Sequence, residues 1–245
     1  MEPPLPPASK TLPPASAAPR WRAPSQCEVC RGWGAGPLCA DCTGRFALPV
    51  SRCPRCALPL AGGASLCGGC LREPPPFEHT HCVADYGFPW DRLIATCKFN
   101  GRAELASLLA ERLAAALRRD GASRPDLIVP VPLSPARLAE RGYNQAWELA
   151  RRLARSTGVP ARADVLQRVL DTPHQADLNR AQRLLNPRGA FTVPASQRAA
   201  VSGGRIALVD DVLTTGATAR EATHTLLRAG ALAVDVWVVA RTPEP

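Results

Sequence analysis

The chain has 245 residues, 46% of them hydrophobic, which suffices for one substantial α/β domain and a small additional module. No run approaches the roughly 20 consecutive apolar residues that a spanning helix needs, so no membrane insertion is expected. The formal net charge of +9 comes almost wholly from arginine, the only lysines being Lys10 and Lys98. Such a balance points to polyanionic partners, nucleic acid or phosphorylated metabolites, although a bias toward arginine codons would give the same excess.

Residues 1–24, MEPPLPPASKTLPPASAAPRWRAP, are proline-dense and poor in large apolar side chains, which predicts a disordered tail. They lack the basic-then-apolar layout of a secretory leader, so a cytoplasmic protein is expected. Residues 25–76 then hold eight of the ten cysteines as four C-x-x-C pairs: Cys27 and Cys30, Cys39 and Cys42, Cys53 and Cys56, Cys67 and Cys70. That spacing lets a tight turn aim two thiolates at one ion, and two pairs complete a tetrahedral shell suited to structural Zn²⁺. Disulfides or a redox pair are the competing reading, disfavoured without an export signal. Sequential pairing gives two zinc sites, while interleaved pairing or a single occupied site also fits the count. The segment is too short to hold together by apolar burial, so metal should supply much of its folding energy. No histidine or carboxylate completes an open site, which argues against zinc catalysis.

After a proline run at residues 73–76, HTHCVADYGF alternates like a strand and WDRLIATCKF reads as a short helix. RAELASLLAERLAAALRR is an amphipathic helix with Leu105, Leu108, Leu109 and Leu113 on one stripe. PDLIVPVPL is a short strand, and NQAWELARRLARSTG a helix that stops at Gly158. The pattern breaks at residues 171–190 and resumes with the strand RIALVDD, the helix TAREATHTLLRAG and the strand AVDVWVVAR. Strands alternating with helices predict a mostly parallel sheet covered on both faces, with residues 77–245 as that domain. Cys82 and Cys97 fall outside the cysteine pattern and are expected in the core.

In such sheets ligands gather beyond the carboxyl ends of the strands. There lies IALVDDVLTTGAT, residues 206–218. Its glycine lets the backbone approach a ligand, and the first amides of the following helix, with the Thr214, Thr215 and Thr218 hydroxyls, suit a phosphate monoester. Asp210 and Asp211 cannot favour the same anion, so they should face hydrogen-bond donors such as vicinal sugar hydroxyls, or a metal ion. Phosphate beside diol describes a ribose 5-phosphate. A strand ending in two aspartates also occurs in nucleoside triphosphatases, but the G-x-x-x-x-G-K-[ST] partner is missing.

This stretch resembles the phosphoribosyl pyrophosphate (PRPP) motif of type I phosphoribosyltransferases. The resemblance implies Asp210 and Asp211 at the ribose hydroxyls, with Thr214, Thr215, Gly216, Ala217 and Thr218 around the 5-phosphate. VPVPLSPARLAERGYNQA (129–146), QADLNRAQRLLNPRGAF (175–191) and CKFNGRAELA (97–106), behind a cysteine-rich front, are similar to the ComF family over essentially all of residues 25–245. The resemblance implies a type I phosphoribosyltransferase-like α/β domain after a zinc-ribbon module, and a role in DNA uptake during natural transformation or in use of external DNA. It also implies a separate helicase-like ATPase, ComFA-like, as a partner. Mg²⁺ would accompany PRPP, and Lys98, Arg137 and Arg141 would neutralise pyrophosphate. Ser134, Tyr143, Asn144 and Gln145 would line the pyrophosphate loop, although Asn144 also reads as a plain helix cap. Gln175, Arg183 and Asn186 would form a hood over the site. Three functions stay open: a PRPP-dependent transferase with no identified acceptor, a single-stranded-DNA-binding uptake factor holding a nucleotide without turnover, or a PRPP-sensing regulator.

Overall fold

The computed structural model describes residues 24–34, 36–99, 102, 105–169 and 189–243. Its cysteine-rich front is built of knuckles rather than of a core. β1 (Ser25–Gln26) and β2 (Trp33–Gly34) pair antiparallel, α1 (Ala40–Phe46) follows, and α2 (Gly68–Arg72) closes the segment. Both helices start on a cysteine: the Cys39 thiol accepts from the Cys42 amide and the Cys67 thiol from the Cys70 amide. A sulfur here takes the place of the usual oxygen cap.

The chain then enters β3 (Thr80–Asp85), α3 (Trp90–Phe99), α4 (Leu105–Arg119) and β4 (Leu127–Pro130). Next come α5 (Pro135–Arg141), α6 (Gln145–Thr157) and the hairpin strands β5 (Gln167–Arg168) and β6 (Phe191–Thr192). A 3₁₀ turn at Ala195–Gln197 leads to α7 (Arg198–Val201), β7 (Arg205–Leu213), α8 (Ala217–Arg228) and β8 (Ala233–Arg241). The sheet order is β3-β8-β7-β4, and every neighbouring pair is parallel.

β7 and β8 are apolar nearly throughout because they are covered on both faces. Ala207, Val209, Trp237 and Val239 point toward α3, α4 and α6, where Leu105, Leu108, Leu109, Leu113, Leu149 and Leu153 are buried. Ile206, Leu208, Val234, Val236 and Val238 point the other way, toward Ala219, Ala222 and Leu226 of α8 and toward Phe191. Cys82 and Cys97 are buried in these two layers, as the sequence predicts. Gly158 ends α6 at φ 67°, a left-handed cap that suits glycine.

The cysteine-rich front packs directly on this domain. Glu28 takes a bidentate pair from Arg102 at 2.8 and 3.1 Å, and the Trp90 indole donates to the Phe46 carbonyl at 2.8 Å. The second knuckle is held more tightly. Arg52 pairs with Asp85 at 2.6 Å, the Thr80 hydroxyl donates to the Arg55 carbonyl at 2.7 Å, and the Arg241 Nε donates to the Cys56 carbonyl at 2.8 Å. These contacts cross the proline run at residues 73–76. No helix of the described residues is long and apolar enough to cross a membrane.

Candidate functional site

β4 and β7 are adjacent and parallel, so their carboxyl ends open side by side. Between them lies a cleft lined by Lys98, Arg137, Arg141, Asn144, Gln145, Asp210, Asp211, Thr214, Gly216 and Thr218. Ten side chains or backbones singled out in sequence thus converge from five different segments. The two carboxylates do not sit at the strand tip as the sequence reading placed them. Val212 and Leu213 continue the ladder opposite Ala240 and Arg241, so the aspartates lie two residues inside β7.

Adjacent strand residues point to opposite faces, and the two aspartates divide accordingly. Asp211 is buried and takes the Lys98 ammonium at 2.8 Å. Burial works against the charge on Lys98, and Asp211 followed by Asp210 outweighs it, so the ammonium is held more firmly than usual. Asp210 accepts the Asp211 amide at 2.8 Å. Burial, reinforced by the Asp211 charge, pushes its carboxyl up to about 7 against the pull of Lys98 and Arg168.

Lys98 is placed by the segment before α6. The Tyr143 hydroxyl donates to the Cys97 carbonyl, and the Gln145 amide donates to the Lys98 carbonyl at 3.4 Å. Arg141 in turn donates to Gln145 Oε1 at 3.2 Å. Asn144 caps α6 through the Ala146 and Trp147 amides while its own amide donates to the Val131 carbonyl at 3.0 Å. It is both a cap and a tie to the end of β4. Ser134 is buried and caps α5 through the Arg137 amide at 3.4 Å, and so orders the turn that presents Arg137.

On the other wall, Gly216 sits at φ 80° and starts α8. An added Cβ would meet only Leu213 Cδ1 at 3.9 Å, so the glycine answers the backbone conformation, not crowding. The Thr215 hydroxyl takes the Ala217 amide at 3.4 Å, and the Arg220 amide donates to the Gly216 carbonyl at 2.8 Å. Gln175, Arg183 and Asn186 lie outside the described residues. Arg168, on β5 beside the cleft and 5.6 Å over the Phe191 ring, was not singled out in sequence.

The eight knuckle cysteines form two groups of four, Cys27, Cys30, Cys39 and Cys42, then Cys53, Cys56, Cys67 and Cys70, with the sulfurs of each group within 4.8 Å of one another. Pairing is therefore sequential, and there are two shells. The Cys30–Cys39 and Cys56–Cys67 sulfurs lie 3.7 and 3.5 Å apart. A tetrahedron with Zn–S of about 2.3 Å has an edge of about 3.8 Å, whereas a disulfide needs about 2.05 Å. Burial disfavours the thiolate at Cys27, yet the amides of Cys30, Cys39 and Val29 lower it to about 6; Cys53 falls likewise to about 7. In the same shells burial and neighbouring thiols push Cys42 up to about 12 and Cys70 higher still. Four thiolates cannot ionise together without a cation among them, so both donor sets fit structural zinc.

Sequence relatives decide the family. The chain is 37% identical over 229 residues to the DNA utilization protein YhgH of Salmonella typhimurium, covering 89% of this chain and 98% of that one. It is 33% identical to Competence protein F of Haemophilus influenzae, covering 88% and 96%. The chain belongs to the ComF family. Competence protein ComFC of Bacillus subtilis is 28% identical over 197 residues, covering 78% of each chain. No family model matches. Among solved structures, glutamine PRPP amidotransferase from B. subtilis aligns at 24% identity with a TM-score of 0.37, covering 56% of this chain and 26% of that one. At that overlap the structural likeness adds nothing to the sequence relationship. The match to YhgH spans nearly the whole of that protein.

Proposed function

We propose that the cleft holds a ribose 5-phosphate ligand, PRPP in the first instance, and that this ComF-family protein uses it in DNA uptake or in use of external DNA. One observation carries the reading: Asp210 and Asp211 open on the same cleft as Thr214, Gly216 and Thr218, opposite Lys98, Arg137 and Arg141. The glycine turn and the start of α8 suit the 5-phosphate. The carboxylates suit the ribose hydroxyls, and the three cations suit pyrophosphate. Asp211 is already paired with Lys98, so the carboxylate open to a hydrated divalent cation such as Mg²⁺ arriving with the ligand is Asp210. If transfer occurs, these residues hold the ribose and neutralise the leaving group, which is positioning and electrostatic work.

Titration calorimetry tests this. PRPP should bind the unaltered protein in the presence of Mg²⁺, and Asp210→Asn with Asp211→Asn should weaken it about a hundredfold, two charged hydrogen-bond acceptors being lost. Equal affinity in the double variant would sink the assignment. Pyrophosphate release assayed across bases, amines and DNA ends then separates turnover from binding.

A second reading, contact with single-stranded DNA, has an observation of its own. The Phe46 and Phe88 rings meet edge to face at 5.4 Å, Arg45 lies 5.3 Å over Phe46, and Arg92 lies 5.3 Å over Phe88, which is 54% exposed. Aromatic faces flanked by guanidiniums stack bases and meet phosphates. Oligo-dT affinity should fall with salt, and Arg45→Ala or Arg92→Ala should each lower the log–log slope by about 0.7. Absence of binding at low salt would leave the metabolite reading alone.

A further inference from the structure

At the end of β8, Arg241 is 4% exposed, yet no carboxylate among the described residues pairs with it. Its partners are carbonyl oxygens. Nη1 donates to Leu213 at 3.1 Å, to Thr242 at 2.6 Å and to Thr214, while Nε donates to Cys56 at 2.8 Å. A buried guanidinium is costly unless its donors are satisfied, and here backbone carbonyls from three segments take Nε and Nη1. Two of those segments matter to ligands: residues 213–214 open the glycine turn, and Cys56 belongs to the second cysteine tetrad.

A trans peptide sets its carbonyl and its amide on opposite sides of the chain. The Leu213 carbonyl takes the Thr242 amide at 3.0 Å as well as Arg241, and the Thr214 carbonyl takes Arg241, which together turn the Thr214 and Thr215 amides away from it. Among the described residues no backbone acceptor takes either amide. Successive amides left open beside a helix start make an anion-binding concavity, and a permanent cation behind them favours a dianion further.

We propose that Arg241 is the positioning residue of the anion turn, holding the Thr214 and Thr215 amides open for a phosphate and tying that turn to the second cysteine tetrad through the Cys56 carbonyl. The ligand half rests on the ribose 5-phosphate reading given above. Phosphate at the turn and zinc at the second tetrad then stabilise one another, because a shared tie makes the coupling reciprocal. The first tetrad, which meets the domain through Glu28 and Phe46, stays outside this coupling.

Hydrogen exchange on the full-length zinc-loaded protein, followed by mass spectrometry, reads the tie without any activity assay. Arg241→Lys keeps the charge but cannot reach all the carbonyls, so exchange should quicken about tenfold in residues 214–218 and 53–70, with residues 27–42 and 105–119 unchanged. Ribose 5-phosphate affinity measured by calorimetry should fall by about the same factor. In the unsubstituted protein, ribose 5-phosphate should slow exchange in residues 53–70, and stripping zinc with a chelator should speed it in residues 214–218. Unchanged exchange in residues 214–218 in both Arg241→Lys and the stripped protein would overturn the tie, whatever the ligand does. Unsubstituted protein that binds no ribose 5-phosphate, yet shows the linked exchange, would keep the tie and refute the ligand reading.

Discussion

Chelated protein should lose the fold of its cysteine-rich front while the parallel sheet stays folded. Apart from the Pro75 ring, the buried apolar side chains among the described residues of 24–76 are six: Cys27, Cys42, Cys53, Ala57, Leu58 and Cys70. Four of these six are thiols, so little hydrocarbon is left to drive folding. Burying the Leu and Ala side chains contributes about 3 kcal/mol together. That is far below the conformational entropy lost in ordering the segment, so metal binding has to supply much of its folding free energy. Limited proteolysis should therefore cut residues 25–72 rapidly in stripped protein and slowly in loaded protein. Metal analysis should give two zinc ions per chain, falling to one in Cys67→Ser. A stripped front as resistant as the loaded one would refute the structural role.

The regular elements were legible because each carries its own period. The Leu105, Leu108, Leu109 and Leu113 stripe, the cap and stop around NQAWELARRLARSTG, and the mostly apolar runs of β7 and β8 are local signals, and each became an element of the expected type. α5 was missed because none of its residues is buried, so it has no apolar period. Its only marks are the Ser134 cap, Pro135 in the first turn and Gly142 after the end, a start and stop signature that needs no hydrophobic face. The aspartates were placed at a strand tip because polarity was taken as the boundary. The ladder continues two residues further because Ala240 and Arg241 supply partners that no local pattern reveals.

For the cleft, the acidic pair and the glycine turn announced themselves by chemistry at a strand-to-helix junction. Lys98 stood out as the sole lysine of residues 25–245 and through the family-like stretch CKFNGRAELA. Arg168 and Arg241 carried no such mark, each being one arginine in an arginine-rich chain. What distinguishes Arg241 is its position at the carboxyl end of a central strand, and that depends on the sheet order β3-β8-β7-β4, which is a property of tertiary packing. Likewise the four C-x-x-C pairs set the donor type, while sequential pairing emerged only from the turns that bring Cys27 to Cys39 and Cys53 to Cys67.

Asp211→Ala should destabilise the protein, but by less than the roughly 3–5 kcal/mol typical of stripping one partner from a buried ion pair. The reason is Asp210. In the unaltered protein burial and the Asp211 charge hold the Asp210 carboxyl up at about 7, while Lys98 pulls it down. Removing Asp211 deletes the repulsion and leaves Lys98 without its 2.8 Å partner, so Asp210 should ionise and take over the ammonium. The sign of the pH dependence follows. With a folded pKa above the unfolded value of about 3.9, the native state binds the extra proton, so this group's contribution makes stability fall as pH rises from about 4 through 7. In Asp211→Ala that slope should flatten, and Asp210 should titrate well below 7 by carbon-detected NMR. Lys98→Met combined with Asp211→Ala should recover much of the lost stability, since an apolar replacement of a buried pair is commonly neutral or better. It should nevertheless fail to bind PRPP. A double variant less stable than either single one, or an Asp210 that still titrates near 7 without Asp211, would mean that the pair serves the fold and that the two carboxylates do not share Lys98.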